Sequence, residues 1–255
     1  MIRRIKLCSL LWLLSISSTV WSYGDLGHKM VAAAAWPQLT PYAKHQIESI
    51  LGFGREKFVN ASVWADHIKS DQRFNHLKPL HYVNLPKGST QYKQQRDCPE
   101  GQCIVQAIYD FSEYARSGSE REQAMAVRML IHLIADIHQP LHAGYKEDRG
   151  GNWFEVKYQD YTLSLHKLWD HQLVERFHEN WQQGSTELLK DMPKATLYSP
   201  EKWAEISHAL VERSVYETQE NRLVSEAYLE MADDVTHRQL QLASWRLAMW
   251  LNQLW

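Results

Sequence analysis

Two His-x-x-x-Asp spacings mark the sequence, His132-Leu133-Ile134-Ala135-Asp136 and His166-Lys167-Leu168-Trp169-Asp170. A separation of four places both side chains on one face of a helix, one turn apart. Val127, Leu130, Ile131, Leu133, Ile134 and Ile137 surround the first pair on several faces, so its helix is expected to be buried, with His132 and Asp136 in a narrow polar stripe. A buried carboxylate requires compensation, by a simple His-Asp hydrogen bond or by a cation. The stripe continues past His138 into Gln139-Pro140-Leu141-His142, where the proline turns the chain and lets His142 face the same cavity. One such pair alone reads more readily as a structural hydrogen bond; two pairs favour a metal. Imidazole and carboxylate groups without sulfur suit zinc in an open, catalytic coordination rather than a closed structural site.

Three further segments offer matching groups: His28 after Gly27, Asp66 in Trp64-Ala65-Asp66-His67, and His81 in Leu80-His81-Tyr82-Val83-Asn84. Each alone also fits a surface or capping residue. Glu175-x-x-His178 and Glu205-x-x-His208 mimic the Glu-x-x-His pairs of di-iron bundles, but no matching glutamates accompany them, and they read as solvated helix faces. Asn60-Ala61-Ser62 has the pattern of a glycan acceptor and is assigned no role.

The elements that must position these groups are mostly helical. The 255 residues are 44% hydrophobic, enough for one sizeable core, which excludes a disordered, collagenous or disulfide-knotted chain. No internal repeat or Pro/Gly/Ser linker divides it, so a single domain, 23–255, is expected. Thr40-Pro41 and Ser199-Pro200 each set a capping residue before a proline at a first helical position. Ser119-Glu120-Arg121-Glu122 is a capping-box pattern opening a segment that runs to Gln139, where Pro140 ends it. Cys103–Ala115 and Glu201–Tyr216 also fit helices, and Arg222–Leu254 holds neither Gly nor Pro. Gly150–Tyr158 and Tyr161–Leu165, rich in aromatic and β-branched residues, read as an irregular hairpin. The fold class expected is an all-α bundle with one small β-hairpin.

Arg3, Arg4 and Lys6 precede the short apolar stretch Leu7–Leu14 and a Ser-rich segment, the pattern of a secretory signal over 1–22. Val20-Trp21-Ser22 suits cleavage before Tyr23, with a cut before Trp21 as the rival. An exported chain, periplasmic or secreted, follows, and the remaining Cys98 and Cys103 are expected to form a disulfide in that oxidising setting, with free thiols as the alternative. The formal net charge of −2 carries no basic field, so a polyanion must be held locally.

Taken together, Tyr23-Gly24-Asp25-Leu26-Gly27-His28, Val63-Trp64-Ala65-Asp66, His81-Tyr82, the block from His132 to His142, Gly150-Gly151-Asn152 and His166-Lys167-Leu168-Trp169-Asp170 resemble the zinc-dependent single-strand nucleases of the S1/P1 type, relatives of zinc phospholipase C. The resemblance covers most of the chain after residue 22. It implies the helical fold of the phospholipase C/nuclease type and three zinc ions per chain. Asp66, His81, His132 and Asp136 would hold one; Asp136 would bridge to a second, held also by His28 and the terminal amine and carbonyl of Tyr23; His142, His166 and Asp170 would hold the third. Three departures stand out: Tyr23 replaces a usual tryptophan, Lys69 a usual arginine one turn after Asp66, and Ser164 an asparagine common before Leu-His.

The implied activity is hydrolysis of single-stranded DNA and RNA by metal-activated hydroxide, giving 5′-phosphorylated products, with 3′-nucleotidase activity beside it. Asp66 would orient the attacking group and Lys69 would stabilise phosphoryl charge. Tyr82 would stack on an unpaired base and Asn84 would read its edge, an ordinary packed tyrosine being the alternative. A monomer without stable membrane association fits this reading. The alternatives are a zinc phospholipase C and a non-catalytic exported zinc-binding protein.

Overall fold

A computed structural model describes residues 23–255 except 177, 194 and 219–221. The signal segment and both proposed cleavage points, before Trp21 and before Tyr23, involve 1–22, which lies outside the described residues. The chain runs through α1 (Asp25–Ala35), α2 (Pro41–Leu51), α3 (Arg55–Ala61) and α4 (Trp64–His67), then a 3-10 stretch, Gln72–His81. α5 (Gln94–Asp97), α6 (Ile104–Ser117) and α7 (Glu120–Asp136) precede a 3-10 turn, Pro140–Ala143. After the hairpin β1 (Glu155–Tyr158) and β2 (Tyr161–Ser164) come α8 (Leu165–Lys167), a π-helical turn Leu168–Gln172, α9 (Leu173–Glu175) and α10 (Trp181–Leu189). α11 (Pro200–Leu210) widens into a second π-helical turn, Val211–Val215, and α12 (Glu226–Leu254) closes the chain. The fold is all-α, with a two-stranded antiparallel sheet pairing Glu155 with Ser164 and Tyr158 with Tyr161.

α7 is the buried axis: every residue from Met129 to Asp136 is buried, and α6 packs along it. Its N-terminus carries the expected capping box, Ser119 with Glu122. The helix stops at Asp136 rather than Gln139, because Gln139 folds back to accept the Leu141 N–H at 2.5 Å ahead of Pro140. α1 lies against α10 and α12; its run Ala32–Ala35 is buried, and Met30 sits against Gly184 of α10. α12 starts at Glu226, capped by Ser225, rather than at Arg222. Thr40 caps α2 through its side chain, whereas Ser199 makes no side-chain cap ahead of α11.

Two apolar clusters share the interior. The larger takes in α1, α6 and α7; the smaller joins Leu141, Val156, Leu165, Leu168, Trp169, Val211, Val215 and Tyr228 around the hairpin. One His-Asp pair thus sits on an element of each cluster, and the turn Pro140–Ala143 runs between them. A disulfide joins Cys98 to Cys103 ahead of α6, and the Ile104 N–H bonds the Tyr82 carbonyl at 3.1 Å. No helix among the described residues is long and apolar enough to cross a membrane.

Candidate metal centre

Eight side chains from distant elements converge: His28 on α1, Asp66 on α4, His81 at the end of its 3-10 stretch, His132 and Asp136 on α7, His142 in the following turn, His166 on α8 and Asp170 in the π-helical turn. All are buried. They form three groups that could each hold a metal ion: His28 with His132 and Asp136, Asp66 with His81 and His132, and His142 with His166 and Asp170. Asp136 is central. Its Oδ1 lies 3.3 Å from His28 Nε2, and its Oδ2 lies 2.9 Å from His81 Nδ1 and 3.1 Å from His132 Nε2. In the third group His166 Nε2 is 3.1 Å from Asp170 Oδ2, and His142 Nε2 is 3.8 Å from Asp170 Oδ1.

Backbone carbonyls aim the rings. Nδ1 of His132 bonds the Ser62 carbonyl at 2.7 Å, that of His142 the His81 carbonyl at 2.6 Å, and that of His166 the Gly150 carbonyl at 2.6 Å. A ring N–H committed to a carbonyl leaves the other nitrogen as a lone-pair donor facing the group. Gly150 has φ +64°, and a Cβ there would stand 2.4 Å from the Leu141 carbonyl oxygen, so the loop carrying this carbonyl can press against the His142 turn only as glycine. Ser164, one of the departures, caps α8 by accepting the Lys167 N–H at 3.2 Å; serine and asparagine serve alike at that position.

The charges are arranged for cations. Burial would raise Asp136, but His132 and His142 hold its carboxyl well below the usual range; burial is likewise overcome at Asp170, by His166 and His142. Burial and the neighbouring His132 lower His28, and burial with Lys69 pushes His81 down to about 3, so both are neutral near pH 7. Burial works against protonating His132 and His142 too, yet the carboxylates beside them raise both. Asp66 Oδ2, His142 Nε2, His166 Nε2 and Asp170 Oδ2 are buried and find no well-aligned hydrogen-bond partner among the described residues, the last two meeting only as an ion pair at 3.1 Å. Buried polar atoms in that state are costly, and nitrogen and oxygen donors converging without sulfur fit zinc.

Around this centre, Lys69 Nζ stands 2.5 Å from Asp66 Oδ1. Tyr82 is 43% exposed, which removes it from the packed core. Asn84 is half-buried two residues further on; Val83 and Leu85 N–H groups bond the His142 and Gly144 carbonyls at 2.8 and 3.1 Å, laying this segment beside the His142 turn. Tyr23 is fully buried, with its hydroxyl 3.4 Å from the His138 carbonyl, and the adjacent Gly24 N–H bonds the Asp170 carbonyl at 2.8 Å. The chain therefore enters α1 next to Asp170.

Some residues stand elsewhere than the sequence suggested. His138 turns out of the stripe: its Nδ1 bonds the Ile134 carbonyl at 2.7 Å and its Nε2 faces Arg246 Nη1 at 2.7 Å. Glu175 and His178, by contrast, lie outside the three groups as expected, Glu175 exposed and His178 half-buried. His208 is no solvated face residue; it is 1% exposed because α11 packs on the Pro140–Ala143 turn, and its Nδ1 bonds the Ala143 carbonyl at 2.7 Å. Gln139 was not singled out, although it donates from Nε2 to Asp170 Oδ1 at 2.5 Å and so ties the two His-Asp pairs. A glutamine directly before the proline, between His138 and His142, is the signal for it. Gln239, which donates to the His138 carbonyl at 2.7 Å, and Arg246 lie more than a hundred residues away and leave no local signal.

A helical fold enclosing three buried His/Asp groups defines the class of protein. The S1/P1 Nuclease family profile matches residues 23–255, and the chain belongs to that family. It is 29% identical to Endonuclease 2 of Arabidopsis thaliana over 76% of this chain and 70% of that protein. It is 30% identical to Nuclease S1 of Aspergillus oryzae over 64% of this chain and 58% of that one. With Nuclease P1 of Penicillium citrinum it shares 24% identity over 91% of this chain and 97% of the relative. These likenesses support a nuclease function and a phosphodiester hydrolase.

Proposed function

We propose that this chain, from Tyr23 onward, is a single-domain, exported, monomeric zinc-dependent endonuclease of single-stranded DNA and RNA, leaving 5′-phosphorylated ends and also acting as a 3′-nucleotidase. The carrying observation is the convergence of eight buried imidazoles and carboxylates, with the rings of His132, His142 and His166 aimed by backbone carbonyls. Asp66, His81, His132 and Asp136 hold one zinc in this reading; Asp136, His28 and the amine and carbonyl of Tyr23 a second; His142, His166 and Asp170 a third. Names of the relatives support the nucleic-acid substrate, and the disulfide fits export.

When bound, zinc supplies Lewis acidity, bringing water towards ionisation near neutral pH and offsetting charge at phosphorus. The chain's own residues do the rest. Asp66, whose Oδ2 is buried beside the groups, orients the attacking water and accepts its hydrogen bond. Lys69 meets the developing negative charge on the phosphoryl oxygens as a point charge, without the two-pronged geometry of arginine. Tyr82 offers its exposed ring to an unpaired base, with Asn84 beside it for the base edge. A duplex keeps its bases stacked, so this contact selects single strands.

N-terminal sequencing and metal analysis of the exported protein, with hydrolysis of single-stranded DNA measured against a phosphatidylcholine emulsion, test the reading. The expected result is a chain beginning at Tyr23, three zinc ions for the three groups, and chelator-sensitive cleavage of the DNA alone. Zinc without DNA cleavage would overturn it.

A further inference from the structure

Two residues outside the eight, Asp148 and Tyr216, are joined across 68 residues of sequence: the Tyr216 hydroxyl donates to Asp148 Oδ2 at 2.6 Å. The other carboxylate oxygen accepts the Gly151 N–H at 2.8 Å, and the Asp148 carbonyl accepts the Trp153 N–H at 3.1 Å. This aspartate therefore holds both sides of the loop that contains Gly150 and Gly151. The same loop governs His166. Gly150 supplies the carbonyl for its Nδ1 at 2.6 Å, and Gly151 the carbonyl for its backbone N–H at 3.3 Å. Both glycines have positive φ, +64° and +77°, a conformation with little intrinsic preference that the surroundings must select.

Tyr216 is itself anchored. It follows the π-helical turn Val211–Val215 and packs against Tyr145 and Phe154, with ring centroids 4.8 and 5.0 Å away. The preceding helix, α11, also holds the His142 side of the group: His208 bonds the Ala143 carbonyl and Ser207 the Ile137 carbonyl at 2.6 Å. One helical segment thus secures the loops bearing two members of the third group, His142 and His166.

We propose that Asp148 and Tyr216 are positioning residues for the ion held by His142, His166 and Asp170, acting through the Gly150 carbonyl that aims His166. The inference rests on the zinc reading above. It predicts a selective effect, since neither residue touches His28, Asp66, His81, His132 or Asp136 in any bond that holds the loop. Outer partners of metal-bound imidazoles usually influence affinity about 10- to 100-fold.

The test is a chelator titration of the zinc-loaded, full-length exported protein with zinc per chain as readout, applied to the unaltered chain, Asp148→Ala, Asp148→Asn and Tyr216→Phe. Asp148→Ala is expected to release one of the three ions at about tenfold lower chelator or less, the other two leaving as in the unaltered chain. Tyr216→Phe, which removes a single hydroxyl and keeps the ring packing, is expected to shift the same ion in the same direction. Asp148→Asn, which keeps an oxygen for the Gly151 N–H, should restore much of the retention. Three ions leaving in parallel, or all three held as before in both Asp148→Ala and Tyr216→Phe, would overturn the proposal. A chain that binds three ions but does not cut nucleic acid would remove the nuclease reading and leave this one standing; one that binds no zinc would remove both.

Discussion

Nδ1 of His142 bonds the carbonyl oxygen of His81 at 2.6 Å, so one backbone contact ties an imidazole of the third group to the residue whose ring serves another. The three groups are consequently one assembly. The His81 ring faces Asp136 while its carbonyl steers His142, and a shift of this segment would disturb both groups.

Asp136 has the most shared environment of the eight, and Asp136→Asn should show it. The substitution keeps the shape but removes the charge that faces His28, His81 and His132. Because loss of an outer partner alone commonly costs 10- to 100-fold, cleavage of single-stranded DNA should fall by more than about a hundredfold. Zinc per chain should drop by two of the three ions. Full zinc content in the variant would contradict the shared position.

In the proposed reaction Lys69 meets charge that develops on the phosphoryl oxygens. Lys69→Met should lower kcat by about 10²- to 10³-fold, the usual effect of removing one such stabilising group, with KM and zinc content nearly unchanged. Lys69→Arg should recover a large part of kcat. Steady-state kinetics with metal analysis would check it, and an unchanged kcat would exclude the role.

Tyr82 should matter only for substrates that carry a base. Base-aromatic stacking contributes about 1–3 kcal/mol, so Tyr82→Ala should raise KM for a single-stranded oligonucleotide by about 5- to 150-fold. A phosphodiester lacking any nucleobase should be hydrolysed as before. Equal losses on both substrates would point to a structural tyrosine instead.

A pH effect on stability is expected on α12, away from the metal centre. Burial and the nearby Glu226, Asp234 and Glu230 outweigh Arg176, whose Nε is 3.5 Å away, and raise Asp233 to about 7. A carboxyl whose folded-state pKa exceeds its unfolded value keeps more protons when folded, so stability declines as pH rises from about 4 through 7. Asp233→Asn should therefore raise the melting temperature of the zinc-loaded protein at pH 8, with a smaller effect at pH 5. The reverse order in thermal melts would refute the assignment.

Much of the fold was legible because its signals are local. The capping box at Ser119, the apolar surround of His132 and the aromatic hairpin all depend on neighbours within a turn or a strand. The end of α7 was read three residues late, since the side chain of Gln139 competes for the turn and periodicity does not register that. His208 looked solvated because its spacing to Glu205 says nothing of what α11 lies on. The link from Tyr216 to Asp148 left no trace either, being formed between loops brought together only by packing.

What the order of amino acids settled alone was the chemistry on offer: helix-spaced imidazoles and carboxylates, a proline turn between them, and no cysteine among them. Tertiary structure decided which nitrogen of His132, His142 and His166 faces inward, because the carbonyls that take the other one belong to Ser62, His81 and Gly150, on separate elements 70, 61 and 16 residues from the rings they hold. It also decided that Tyr82 meets solvent while Tyr23 is enclosed, a difference of neighbours and not of residue type.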